Sequence, residues 1–223
     1  MSNKKTNMPE KGAAVQKDME TYAVNPYIPG GLVEPDTLRK IADVAEKYDA
    51  KALKLSSEHR ITIFGIPFKD VDNIWNDLGM RPGGLSGKIV RPVKFCIGAS
   101  CCKMGKQKTH EIGLEIDQQF MGTKTPDKMK IAVSGCENSC AEPAVRDIGL
   151  IGTKNGWNVL VGGTAGIRPR IGDLIAKDLS SEEVLELMAK IISYYKENEE
   201  VKRLGRFIDH MGFEKFKDEV LGK

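Results

Sequence analysis

Residues 128–152 read "KMKIAVSGCENSCAEPAVRDIGLIG". Two short apolar runs, "KIAVS" (130–134) and "DIGLIG" (147–152), are strand candidates. Between them lies a C-x3-C pair, Cys136 and Cys140, reached through Ser134 and Gly135. Upstream, "FCIGASCCKMG" (95–105) holds a C-x5-C pair, Cys96 and Cys102, and 33 residues separate the two pairs. Thiolates are the usual ligands of iron–sulfur clusters, and four of them complete a [4Fe–4S] cubane. Zinc also accepts four thiolates, but its structural sites generally use shorter knuckles such as C-x2-C. Spacing alone favours a cluster grasped by two loops. A zinc site and unligated redox thiols stay open beside it. Gly98, Gly105 and Gly135 would let backbone approach a bulky cluster. The fifth cysteine, Cys101, reads as a small buried hydrophobe next to the site.

The rest of the chain narrows the context. Its 223 residues suffice for one large domain or two small ones. Hydrophobic content is 40% and charged content 29%, ordinary for a globular protein. With 34 basic and 31 acidic residues the net charge is +3, so nucleic acid is not the expected partner. The apolar runs are too short to span a bilayer. The first twenty residues show no apolar signal core, which points to the cytoplasm. In a reducing compartment, paired cysteines more often bind metal or do redox work than form disulfides.

Working outward, the pattern predicts an α+β protein: a ferredoxin-like half-domain followed by an α/β domain that carries the cysteines. Residues 1–35 read as an extended N-terminal arm. Within 36–80, "DTLRKIADVAEKY" places Leu38, Ile41, Ala42 and Ala45 at helical spacing, with Asp36 or Thr37 as the cap. "ALKLSS" and "RITIFGI" alternate like a hairpin, and "KDVDNIWNDLG" is an amphipathic helix closed by Gly79. This segment predicts two strands covered by two helices. The cysteine domain takes 81–200, beginning with the loop-like "RPGGLSGKIVRPVK" (81–94). "WNVLVGG" (157–163) is a further strand, and "GTAGIRPRIGD" is a loop bearing glycine and arginine. Ser180 and Glu183 form a capping box at the start of a helix over roughly 181–197 that buries Val184, Leu187, Met188, Ile191 and Ile192. A C-terminal helical extension takes 201–223, within a helical stretch over roughly 199–221 interrupted near Gly212.

The cysteine pattern, the Ser-Gly before the second pair and the Asn138 within it resemble the siroheme and [4Fe–4S] domain of sulfite and nitrite reductases. "LKLSSEHRITIFGIPFKDVDNIWNDLG" is similar to that family's ferredoxin-like domain. The single copy of each half looks like the small sulfite reductases. Two positions depart from the family's habit. Glu137 stands where proline is frequent, and Lys103 where arginine is common, which keeps the charge but loses the planar fork.

The resemblance implies a siroheme joined to a cluster on Cys96, Cys102, Cys136 and Cys140, with Cys140 as the bridge to the haem iron. It implies reduction of sulfite to sulfide. Nitrite reduction at the same kind of site is the alternative, and a [4Fe–4S] electron-transfer protein without siroheme is another. Arg60, Lys103, Lys128 and Lys130 match the family's anion-binding positions. Lys128 and Lys130 share one face if extended. Such cations stabilise growing negative charge and relay protons. Siroheme's carboxylates need further cations. Arg81, Lys88, Arg91, Arg168 and Arg170, in glycine-rich loops, are candidates, and Asn138 is a hydrogen-bonding candidate. No flavin or nicotinamide fingerprint is visible, so an external donor such as ferredoxin or a reductase subunit is expected. One copy bearing both the anion-binding cations and the cysteines suggests a homodimer with composite sites.

Overall fold

The computed structural model describes residues 6–84, 86–198 and 203–222. The expected helical stretch at 199–202, and the arm's first five residues, lie outside the described residues. The chain divides into two compact units, Met1–Gly87 and Lys88–Lys223.

The first unit is built on a four-stranded antiparallel sheet of order β1-β2-β4-β3. Its strands are β1 (Ala13–Val15), β2 (Thr21–Val24), β3 (Ala52–Leu55) and β4 (Ile61–Pro67). Two of these come from the segment expected as an extended arm. β2 pairs with β4, and Ala13, Tyr22 and Val24 are buried with Ile63 and Ile66. The sheet therefore has four strands, not two. Short strands beside Pro and Gly turns leave too few residues for alternation to register.

Helix α1 (Pro35–Lys47) buries Ile41, Val44 and Ala45, and α2 (Val71–Leu78) buries Val71, Ile74 and Leu78. Leu38, expected on the buried stripe, is exposed. Pro35 opens α1 without the anticipated side-chain cap, since its fixed φ suits the first helical position. Gly79 closes α2 in the left-handed conformation at φ 59°.

The second unit carries a five-stranded mixed sheet, in the order β5 (Lys94–Phe95), β6 (Ile131–Ser134), β7 (Ile148–Gly152), β8 (Trp157–Val161) and β9 (Asp173–Leu179). β5, β6 and β7 run parallel, and β7, β8 and β9 antiparallel. Ile131, Val133, Ile148, Leu150, Val159 and Val161 belong to one core with residues of α3 (Thr109–Phe120), α4 (Ser181–Lys196), α5 (Leu204–Met211) and α6 (Phe213–Leu221). The capping box forms: Glu183 N–H donates to Ser180 Oγ at 3.2 Å, and Ser180 N–H to Glu183 Oε2 at 2.8 Å. The predicted apolar face of α4 is buried in full. Among the described residues no helix is long and apolar enough to cross a membrane.

Candidate functional site: two interlocked cysteine loops

The two cysteine pairs lie on loops that follow parallel neighbours. Cys96 comes directly after β5, and Cys136 two residues after β6. Because those strands run in the same direction, both loops emerge at the same end of the sheet. They are fastened together through Gly135. Its carbonyl accepts from Lys106 N–H at 2.7 Å and Gln107 N–H at 3.1 Å, and its own N–H donates to Cys96 Sγ at 3.2 Å. The first loop is also closed on itself. Cys102 N–H donates to Gly98 O, Gly105 N–H to Cys102 O and Ala99 N–H to Gln107 O, at 2.9–3.0 Å. Thr109 Oγ1 donates to Cys96 O.

Gly135 permits this closeness. A Cβ there would lie 2.8 Å from Gln107 O and 2.9 Å from Gly98 Cα, both backbone atoms. The loop after Cys136 turns through Ser139 and Glu142, which adopt φ of 55° and 59°. Asn138 is exposed, and its neighbour Ser139 takes the left-handed conformation. Ala141 N–H donates to Ser134 Oγ at 3.0 Å, anchoring the peptide after Cys140 onto β6.

Three charged residues that the motif did not single out brace this segment. Glu142 Oε2 accepts from Lys94 Nζ at 3.1 Å and from Arg146 Nη2 at 2.8 Å. Lys94 and Arg146 are buried. Glu142 itself is exposed, so water screens its carboxylate while the two cations it pairs with are held inside. Lys94 and Glu142 are 48 positions apart, so no local pattern announces them. The i,i+4 spacing of Glu142 and Arg146 was the one available signal.

The donor set fits an iron–sulfur cluster. Soft sulfur ligands from two loops are presented at one end of a sheet, with backbone packed tightly beneath them. Among the described residues, no three His, Cys, Asp or Glu side chains gather round one point as a single ion requires. A cubane distributes its thiolates over separate irons. Cys136 is buried, Cys96 and Cys102 are half-buried, and Cys140 is exposed. Cys101, expected to be buried, is exposed. It caps the 3-10 turn Gly98–Ser100, its N–H donating to Gly98 O.

The other site candidates fall into three groups. Lys128 and Arg168 share a cleft of about 410 Å³ at the opposite end of β6, lined also by Arg170, Arg203 and Arg206. Arg170 is committed elsewhere: it donates to Asp209 and Asp173 carboxylates at 2.8 and 2.6 Å and to the Gly162 and Ile171 carbonyls. Lys130 N–H donates to Asp147 Oδ2 at 2.8 Å, which also accepts from Arg203 Nη2 at 2.8 Å. Burial pushes the Asp147 carboxyl up to about 6, against the pull of Arg203 and the Lys130 N–H.

Lys103 is exposed on the first cysteine loop, and Lys88 is exposed ahead of it. Arg91 is buried, and its N–H donates to Met129 O. Arg60 and Arg81 belong to the first unit. Arg60 closes the hairpin between β3 and β4, its carbonyl accepting from Ser56 N–H at 2.9 Å. Its neighbour His59 contacts Gly30 O through Nδ1 at 3.0 Å. Arg81 stacks on Tyr27 with its guanidinium 3.9 Å from the ring centroid.

A four-stranded half-domain and a sheet with paired thiol loops mark a redox protein of the iron–sulfur class. Residues 86–223 match the model of the nitrite and sulphite reductase 4Fe-4S domain, and 14–81 that of the nitrite/sulfite reductase ferredoxin-like half domain. The chain belongs to the nitrite and sulfite reductase family, an oxidoreductase family that carries siroheme and a [4Fe–4S] cluster. It is 37% identical over 213 residues to an assimilatory-type sulfite reductase of Nitratidesulfovibrio vulgaris, covering 95% of this chain and 98% of that one. It is 38% identical over 201 residues to the NAD(P)H nitrite reductase of Bacillus subtilis, covering 90% of this chain but 25% of that one. The fold superposes on the Mycobacterium tuberculosis NirA protein with a TM-score of 0.80 at 20% identity, over 90% of this chain and 39% of that one.

Proposed function

We propose that this chain reduces sulfite to sulfide, with siroheme and a [4Fe–4S] cluster as its cofactors. Hydrogen sulfite takes up six electrons and six protons and leaves as hydrosulfide and three waters. The bound cofactor pair supplies the electron-storing and oxygen-releasing chemistry. The observation that carries the reading is the interlocking of the two cysteine loops through Gly135, in a chain spanning 98% of an assimilatory-type sulfite reductase. Nitrite is the second reading, supported by the 38% identity to a nitrite reductase.

In this reading Cys96, Cys102, Cys136 and Cys140 would hold the cluster, and Cys140, the exposed one of the four, would be the thiolate shared with the haem site. Lys128 and Lys130 supply positive charge and protons to the anion. Asp147 positions Lys130 by fixing its backbone N–H. Lys103 and, on the first unit, Arg60 keep the anion-contact role that the resemblance implies. Arg168, with Lys128 in the cationic cleft, suits a carboxylate contact better than Arg170, whose guanidinium is already spent on two aspartates. Arg91, being buried, suits a structural role. Exposed Lys88, Arg81 and Asn138 stay in the carboxylate-binding set.

An external reductase or electron carrier delivers the electrons, and the cytoplasm is the expected setting. A homodimer would let the cations of one copy face the cysteine loops of the other.

The test is the visible spectrum and iron content of the purified protein, followed by turnover with reduced methyl viologen. We expect siroheme bands, cluster iron, and a higher kcat/KM for sulfite than for nitrite. Lys128→Ala with Lys130→Ala is expected to lower kcat/KM by about a hundredfold or more while cofactors stay bound. Undiminished turnover would remove both lysines from the site.

A further inference from the structure

The C-terminal helices hold none of the thiols and none of the residues assigned to the anion, yet α5 borders the cationic cleft. Arg203, at its N-cap, and Arg206 line the cleft with Lys128, from the segment before β6, and Arg168, from the loop between β8 and β9. Arg203 Nη2 donates to Asp147 Oδ2 at 2.8 Å, and the same oxygen accepts the Lys130 N–H at 2.8 Å. Lys130 lies one residue before β6, where this side-chain acceptor takes the place of a ladder partner. The helix that presents Arg203 is itself fastened down. Asp209 Oδ1 accepts from Arg170 Nε at 2.8 Å, and Arg170 exchanges backbone hydrogen bonds with Thr164 at 2.9 Å. Gly205 meets the chain just after β8, where a Cβ would lie 2.2 Å from Gly162 O. Gly162 N–H donates in turn to Asp147 O at 2.8 Å, which closes the circuit.

We propose that Arg203 is a positioning residue for the anion site: acting through Asp147, it holds the Lys130 backbone in place beside Lys128. The proposal rests on the reading of Lys128 and Lys130 as the contacts of sulfite. A lysine ammonium rides on a flexible stem, so its reach is set by how firmly its backbone is held. Cations stabilise charge growing on the anion best when they are already in place, because no reorganisation is then needed. Burial, and to a lesser degree Asp127, pushes the Asp147 carboxyl up, while Arg203 and the Lys130 N–H pull it down, and Tyr195 of α4 lies in the same field. An ionised carboxylate is a stronger acceptor than a protonated one. Removing Arg203 therefore lets Asp147 protonate at a higher pH and loosens its grip on Lys130.

The experiment compares the holoenzyme with Arg203→Gln and Arg203→Lys. Sulfite affinity at a pH of about 7 is read from the siroheme absorbance, without turnover, and is expected to weaken about tenfold per bound siroheme in Arg203→Gln. Arg203→Lys keeps the charge and loses the planar fork; its affinity is expected to fall about threefold, and it carries the test if the glutamine variant folds poorly. Deuterium exchange of the peptide containing the Lys130 amide is expected to speed about tenfold in Arg203→Gln. The deficit of Arg203→Gln in kcat/KM is taken as a ratio to wild type, so that the substrate's own protonation cancels. It is expected to shrink as pH rises from about 6.5 to about 9, where ionised Asp147 holds Lys130 unaided. Wild-type affinity, exchange and pH dependence in the variants would overturn the proposal. So would variants that lose cofactor or stability while their remaining siroheme binds sulfite as tightly as wild type, since Arg203 would then serve the fold alone. A holoenzyme that neither binds nor reduces sulfite, yet shows Arg203-dependent exchange at Lys130, would refute the proposed substrate and leave the clamp standing.

Discussion

A methyl group on Gly135 would have to displace the backbone of the opposite loop, because Gln107 O and Gly98 Cα would lie 2.8 and 2.9 Å from it. The same residue makes the hydrogen bonds to Lys106, Gln107 and Cys96 that bind the loops together. Gly135→Ala is therefore expected to spread the cysteine loops while leaving the buried sheet intact. Overpacking of this kind costs about 1–3 kcal/mol. Iron and acid-labile sulfide are expected to fall below about half the wild-type content, with far-ultraviolet circular dichroism unchanged. A variant with full iron content would show that the close approach is dispensable. The cysteines were legible because their spacing is a local feature of sequence. The bracing charges were not, since Lys94 and Glu142 meet only after β5 and β6 pair. Arg170 shows the converse. Its glycine-rich loop suggested a free cation, but Asp173 and Asp209 converge on it from β9 and α5.

Between elements, Asp147 joins the start of β6 to the N-terminus of α5 through Lys130 N–H and Arg203. It is 1% exposed, and burial is the main reason its carboxyl is held up at about 6. Arg203 opposes that shift, while Asp127 adds to it, and the buried Tyr195 of α4 lies within the same field. A carboxyl whose folded value exceeds its unfolded one stabilises the fold most when protonated in both states, below about 4. That contribution is lost as pH rises through about 6, where the folded protein must ionise a buried group. Relative to Asp147→Asn, which does not titrate, the wild type is expected to lose stability on the order of 2–3 kcal/mol between about pH 4 and pH 7. Denaturant unfolding of both proteins across that range checks it. Equal slopes with pH would mean that the clamp ionises freely. Strong periodicity made α2 and α4 readable, and continuous apolar runs β6 and β7. β9 was not, because only Ile175 of its alternating face is fully buried, and charged residues interrupt the run.

For the molecule as a whole, the arrangement along β6 bears on how one copy could build a site. Lys130 precedes the strand, and Ser134 ends it, where its hydroxyl holds the Cys140–Ala141 peptide. At about 3.3 Å per residue, roughly 13 Å of strand separates Lys130 from that anchor. Lys128 lies farther still, in the cleft with Arg168. The two ends of the strand thus present different chemistry, cations at one and thiols at the other. In the proposed two-fold pair, the cationic end of each copy would meet the thiol end of its partner. Nothing in the sequence registers this separation until the strand direction and its two loops are known. It makes a direct prediction. A Lys128→Ala/Lys130→Ala chain and a Cys140→Ala chain are each expected to be inactive alone. If the chain pairs as proposed, co-expression in equal amounts gives mixed dimers in which one of the two sites keeps both wild-type contributions. With random pairing, viologen-driven sulfite reduction per chain is expected to return to about a quarter of the wild-type value. Sedimentation should find the two-chain mass in the active fraction. If the site is built within one chain, each mutant carries its own lesion into every site and co-expression restores nothing.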